Sequence, residues 1–187
     1  MAEVRLKKVK EQFGEDLNLI WRSFLLRPEP DPNRTLEKFK EYTQSWGRPA
    51  RMEPETVFKP WVGDEEGPPS HSFPPHQAAK IAARIGPEAF EKFHERLLRA
   101  YFSENRDITS RKVLEELWLD VGLPAGALDD LDDPEITRQI VSEHVESMRC
   151  GVSGVPAIRL ENVEGVLVGA QELEVYERLV QKAITDL

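Results

Sequence analysis

Apolar residues recur every three or four positions through most of the chain, which is the spacing of helices that bury one face. Proline, glycine or a capping side chain marks many of the ends of these periodic stretches. The pattern predicts helices over Glu3–Phe13, Thr35–Trp46, Pro75–Ile85, Pro87–Phe102, Thr109–Val121 and Asp133–Met148, and from Gln171 onward. Helices therefore dominate the middle of the chain.

Three apolar stretches lack that spacing and predict strands. Leu17–Leu26 is too apolar for a surface strand, so we expect it to be buried on both faces. Ala157–Leu160 and Val166–Ala170 are shorter and are separated by a turn. The segment Gly47–Ser72 is rich in proline and glycine and predicts an irregular connection. Within it, Trp61 is a candidate for a half-exposed side chain that covers a ligand.

The most informative stretch is Cys150-Gly-Val-Ser-Gly-Val-Pro-Ala-Ile-Arg-Leu160. Two glycines loosen the backbone, and Pro156 then opens a strand, which is one of the few sheet positions that proline occupies. A trans proline that ends a loop is the commoner arrangement. A cis Val155–Pro156 bond, the kind of cis bond that costs least, would turn the backbone groups of Val155 outward. Gly154, Val155 and Pro156 are therefore candidate residues for binding an extended ligand.

This stretch, followed by Val168-Gly-Ala-Gln171, resembles the DsbA-like thioredoxin family. The resemblance is greatest to its cytoplasmic bacterial branch, which includes 2-hydroxychromene-2-carboxylate isomerases and kappa-class glutathione transferases. Trp21–Pro28 and Arg99–Ile108 also resemble parts of that family. The resemblance implies an α/β fold of the thioredoxin-like type with an inserted helical subdomain. Residues 1–33 and 149–187 would form an incomplete thioredoxin-like domain, and residues 34–148 the helical insertion.

One part of the family pattern is not present. The family begins with a strand and then carries Cys-x-x-Cys, or a serine variant, at the start of its first helix, whereas Glu3–Gly14 resembles residues after that motif. We therefore expect the N-terminal strand to be missing, which would leave open strand edges at Leu17–Phe24 and Ala157–Leu160. Three explanations remain open: a natural start upstream of Met1, a smaller sheet, or a homodimer formed by strand exchange.

Length and charge limit the classes of function that the chain can have. A chain of 187 residues fits one domain with an inserted subdomain. Its net charge of -9 argues against a nucleic-acid partner, because phosphate recognition needs a basic face. No apolar run reaches membrane-spanning length, and the N-terminus lacks the apolar core of a signal peptide. These features predict a cytoplasmic protein with no membrane partner.

The sequence contains one cysteine, Cys150, so no disulfide can form within the chain. Cys150 lies six residues before Pro156 and not at the nucleophile position of the family. It is either a redox residue or a buried, inert thiol. The four histidines show no metal-binding spacing, so no metal site is predicted.

The resemblance implies a thiol–disulfide oxidoreductase whose partners are thiol- or disulfide-containing peptides or a small thiol. Because the redox motif is absent, we expect these 187 residues to lack that activity. One alternative is an isomerase or transferase that uses glutathione as co-substrate and needs no resident cofactor. Another is a non-catalytic module that captures peptides along the Val155–Pro156 edge.

Overall fold

A computed structural model describes residues 1–62, 67–161 and 163–185. The α-helices are α1 (Ala2–Phe13), α2 (Leu36–Thr43), α3 (Gly47–Met52), α4 (Phe73–Ile85), α5 (Pro87–Ser103), α6 (Arg111–Asp120), α7 (Pro134–Arg149) and α8 (Leu173–Thr185). Short 3₁₀ turns follow α1 and α2 and precede α7. Two strands, β1 (Ala157–Ile158) and β2 (Leu167–Val168), lie between α7 and α8. None of the helices described is both long enough and apolar enough to cross a membrane.

Local sequence explains where these helices begin. The side chain of Thr35 accepts a hydrogen bond from the backbone of Lys38 and caps α2. Gly47–Met52 is helical, so the prediction of irregular structure was wrong there. Pro49 lies in its first turn, where a missing N–H leaves no helical bond unmade. For the same reason α4 accommodates adjacent prolines and begins at Phe73, before the predicted start.

The described residues divide into two compact units, and the larger is Leu25–Val141. Its main apolar core joins α4, α5, α6 and the buried part of α7, with Phe93, Leu114 and Trp118 at its centre. A second core is aromatic and is built around Phe39 and Trp46. Residues 63–66, which belong to the predicted irregular segment, lie outside the described part of the chain.

The smaller unit is Met1–Phe24 with Ser142–Leu187. In the described residues its sheet consists of β1 and β2, which are antiparallel with Ala157 opposite Val168. α1 and α8 pack together through Val9, Tyr176 and Val180, and the inner side chains of the two strands join this cluster. The strands are shorter than predicted but lie at the predicted places.

The predicted strand at Leu17–Leu26 is not formed. The backbone from Leu17 to Ser23 shows the alternating burial of a strand, with odd-numbered side chains turned inward and even-numbered ones exposed. Ile20 is 63% exposed, so the segment is not buried on both faces. A strand requires a neighbouring backbone as hydrogen-bond partner, and among the described residues β1 pairs with β2 instead. We call Leu17–Phe24 the extended segment.

The inward stripe of α7 also differs from the prediction. The apolar spacing predicts an inward stripe of Ile136, Ile140, Val141, His144, Val145 and Met148. Ile136 and Ile140 are buried as expected, but Val141 is 41% and Met148 48% exposed. The next buried position is Glu143, whose carboxylate Oε2 accepts a 2.7 Å hydrogen bond from the backbone N–H of Ser23. Arg22 lies 3.9 Å from the other oxygen of the same carboxylate. A charged residue therefore lies on the buried face because it holds the end of the extended segment.

The start of α7 provides a test of acid stability. Asp133 accepts a 2.8 Å hydrogen bond from Arg84 and another from the backbone N–H of Glu135, and these bonds lower the pKa of its carboxyl group. A lowered pKa in the folded state means that the stabilisation is complete above the unfolded pKa, near 4, and is lost as the pH falls through the folded value. We expect Asp133→Asn to flatten the decline of the urea midpoint between about pH 5 and pH 2.

The control for this experiment is Asp130→Asn. Asp130 is an exposed acid in the turn before α7. This variant should keep the wild-type acid decline. An Asp133→Asn curve parallel to that of the wild type would contradict the prediction.

Candidate functional site

The loop between α7 and β1 is fixed at its first residues. Gly151 ends the helix with a φ of 89°, a conformation that favours glycine, and its N–H donates to Met148. The N–H of Val152 donates to the carbonyl of Ser147 at 3.0 Å. Residues 151 and 152 are thus held against the last turn of α7.

The far end of the loop is fixed by the sheet. The Val155–Pro156 peptide bond is cis, and the carbonyl of Pro156 accepts a 2.8 Å hydrogen bond from the N–H of Gly169. Gly169 follows β2 directly and has a φ of 89°. The bond between Pro156 and Gly169 continues the pairing of β1 and β2 by one position.

Between these fixed ends lie three residues whose backbone groups have no partner among the described residues. Within the described parts of the chain, Ser153, Gly154 and Val155 make no hydrogen bond. The side chain of Val155 is 48% exposed, and a Cβ placed on Gly154 would meet no atom within 4 Å. The site that the sequence indicated is therefore a short, accessible stretch of unpaired backbone held at both ends.

Cys150 precedes this stretch at the end of α7. Its thiol is partly buried and lies 3.4 Å from the guanidinium Nη1 of Arg159, which follows β1. The two side chains line an open cavity of about 510 Å³ whose other walls come from the turn between the strands. The structure therefore places Cys150 beside a cation and in contact with solvent.

The other candidate residues have structural partners. Trp61 is fully buried, so the prediction of a half-exposed residue over a ligand was wrong. Its ring packs 5.1 Å from that of Phe39, and its backbone N–H donates to Thr43. His144 contacts the ring of Phe24 edge-on at 4.9 Å. In the described residues, no group of three or more histidine, cysteine or acidic side chains is arranged to hold a metal ion.

Sequence reasoning missed two residues near the site, Arg5 and Gln171. Arg5 is 3% exposed, although it belongs to a helix whose surface is otherwise rich in charge. One signal was available: Arg5 lies four residues before Val9, on the buried stripe of α1. The sequence indicates Gln171 only as the last residue of the Val168–Gln171 stretch that resembles the family.

Comparison with known proteins agrees with this description. The family model for the DSBA-like thioredoxin domain matches residues 1–181. No curated protein matches the chain in sequence.

Solved structures show a similar fold. A candidate protein disulfide isomerase from Nitrosomonas europaea superimposes with a TM-score of 0.77 at 15% identity, covering 98% of this chain and 90% of that one. The cytosolic disulfide reductase DsbM from Pseudomonas aeruginosa gives a TM-score of 0.71 at 17% identity, covering 100% of this chain and 93% of that one. The same protein with GSH gives 0.72 at 18% identity, covering 98% and 89%.

The family and the fold class predicted from the sequence are both confirmed by these matches. At such low identities the solved structures establish the fold alone, whereas the family model covers nearly the whole chain. The chain belongs to the family of DSBA-like thioredoxin domains.

Proposed function

We propose that this protein is a cytoplasmic thiol-binding member of its family that holds an extended thiol compound along Gly154 and Val155. The observation that carries the proposal is the unpaired backbone of residues 153–155, fixed at Val152 on one side and at Pro156 on the other. An extended peptide can pair with such groups as an added strand does, and no side-chain match is needed. Glutathione and a cysteine-containing peptide both provide the required amide groups.

The number of thiol groups limits the redox chemistry that these 187 residues can perform. A dithiol redox cycle needs two thiols in one site, and the sequence has one cysteine. We therefore propose binding, and not oxidoreductase turnover, as the activity of this chain. The same single cysteine favours a second candidate, a glutathione-dependent isomerase or transferase, because in such a reaction the co-substrate supplies the thiol.

Calorimetric titration with reduced glutathione tests the proposal directly. The matched ligand is γ-glutamyl-alanyl-glycine, which has the same backbone and no thiol. Because backbone pairing supplies most of the affinity and the thiol adds to it, we expect both compounds to bind, with glutathione the tighter by up to about tenfold, which corresponds to about 1.4 kcal/mol. Absence of binding by glutathione and by a cysteine-containing peptide would refute the proposal.

Substitutions at two glycines of the loop should distinguish an effect on ligand binding from an effect on folding stability. Gly154 has open space around an added Cβ and no positive φ, so Gly154→Ala should change the free energy of unfolding by less than about 0.5 kcal/mol. The added methyl group occupies the space that a ligand backbone must enter, and we expect glutathione affinity to fall about tenfold. Calorimetry and urea unfolding measure the two effects.

Gly151→Ala is the matched control. Its φ of 89° strains any other residue, so this variant should lose about 1–2 kcal/mol of stability. Once folded, it should bind glutathione with nearly wild-type affinity. Equal effects of the two substitutions on binding would show that the loop acts only through its stability.

A further inference from the structure

The buried arginine of α1 makes two contacts with the residues that lead into α8. Arg5 donates through Nη1 to the carbonyl of Gln171, and its Nη2 lies 3.2 Å from the carboxylate of Glu172. A guanidinium removed from water is costly unless its donors are satisfied. Arg5 can therefore be buried here because its guanidinium bonds to Gln171 and Glu172.

Gln171 connects this corner to the strands. Its side-chain Nε2 lies 3.3 Å from the carbonyls of Val168 and Gly169, which form the turn at the end of β2. Its backbone N–H donates to the hydroxyl of Tyr176 at 3.0 Å. Gln171 thus fixes the carbonyls of the turn while α8 fixes Gln171.

The same turn carries the bond to the candidate binding loop, because the N–H of Gly169 donates to the carbonyl of Pro156. A continuous path of hydrogen bonds therefore runs from Arg5 through Gln171 and Gly169 to Pro156. We propose that Arg5 and Gln171 are positioning residues for the thiol-binding loop. This inference rests on the proposed function and adds which residues hold the loop in its binding geometry.

A merely structural role does not explain the arrangement. α1 and α8 are already joined by apolar contacts among Val9, Tyr176 and Val180. Replacing a buried ionic group with an apolar residue of similar volume is often neutral for stability or even favourable. The buried guanidinium is therefore better explained by the orientation of the turn to which it donates, since its carboxylate partner Glu172 is itself exposed.

The test uses Arg5→Met, which keeps side-chain length without hydrogen-bond donors, and Gln171→Ala. The control is Arg178→Met, because Arg178 is an exposed arginine of α8 whose bond among the described residues is to Glu174 of its own helix. Native-state hydrogen exchange of the Gly169 amide reports the bond to Pro156 without any ligand. Calorimetry with reduced glutathione reports binding.

We expect the Gly169 amide to exchange about tenfold faster in both variants, while the amides of the α8 interior keep their protection. Glutathione affinity should fall about five- to tenfold, and Arg5→Lys, which retains a donor, should lie between Arg5→Met and the wild type. The control should match the wild type in both measurements. If Arg5→Met does not fold, Gln171→Ala provides the same readouts.

Unchanged Gly169 exchange in Gln171→Ala, or an equal loss of protection throughout the smaller unit, would overturn the positioning role. Faster Gly169 exchange together with unchanged glutathione affinity would overturn it as well. If the wild type binds neither glutathione nor a cysteine-containing peptide, the proposed function fails, and this positioning role fails with it. A local exchange effect would then show only that the turn is held. The failure of the proposed function can be distinguished from the failure of the positioning role, because only the former means that the wild type does not bind.

Discussion

Replacing Trp118 with alanine is expected to lower the free energy of unfolding by about 3–5 kcal/mol, the usual cost of deleting a buried tryptophan. Trp118 is fully packed in the main core of the larger unit, and its ring meets that of Phe93 edge-on at 4.9 Å. Its indole N–H also donates to the carbonyl of Pro124 at 2.9 Å. The substitution therefore leaves a cavity and an unsatisfied carbonyl together.

The adjacent residue provides the control for this change. Leu119 belongs to the same helix but is 59% exposed, so Leu119→Ala should alter stability by less than about 0.5 kcal/mol. Urea unfolding followed by circular dichroism gives both values. A loss below about 1 kcal/mol for Trp118→Ala would mean that the core of α5 and α6 is not packed as described.

Val155→Pro is expected to weaken glutathione binding about five- to tenfold, because it removes a backbone donor worth about 1–1.5 kcal/mol. No group of the described chain accepts from the N–H of Val155, so the folded protein loses no hydrogen bond of its own. The effect should therefore appear mainly in the dissociation constant, and any change in the urea midpoint reports only the φ that proline imposes. Calorimetry and urea unfolding again separate the two.

Val155→Ala is the matched variant, since it shortens the same side chain and retains the N–H. It should bind glutathione within about threefold of the wild type, a difference smaller than one average hydrogen bond. A comparable loss in both variants would assign recognition to the exposed isopropyl group. In that case the backbone of the loop would not be the binding surface.

The helices could be predicted from the sequence because their apolar spacing and end signals are local. Thr35 caps α2 from within the same turn, and Phe93 and Leu97 on the apolar face of α5 are buried. The place of the loop before β1 was also predictable, since two glycines and Pro156 mark it without reference to any other segment, and its role in binding stays a prediction. Local chemistry therefore located both the scaffold and the candidate site.

Features that depend on distant partners were not predictable in this way. The alternation in Leu17–Phe24 specifies an extended backbone, but whether it becomes a strand depends on what lies beside it. Glu143 and Arg5 lie on buried faces because they bond to Ser23 and Gln171, which are far away in sequence. Polar residues at such positions contradict the apolar pattern, and only the folded structure shows the hydrogen bonds that they make.

The extended segment has a consequence for the behaviour of the protein at high concentration. Asn18, Leu19 and Ile20 make no hydrogen bond in the described chain, and the exposed Ile20 lies among them, which makes this stretch a template for intermolecular strand addition. The net charge of -9 opposes the approach of a second copy. Dissolved salt screens that repulsion over distances beyond about 8–10 Å. Colloidal stability therefore depends on ionic strength, since long-range repulsion replaces the local edge protection that the segment lacks.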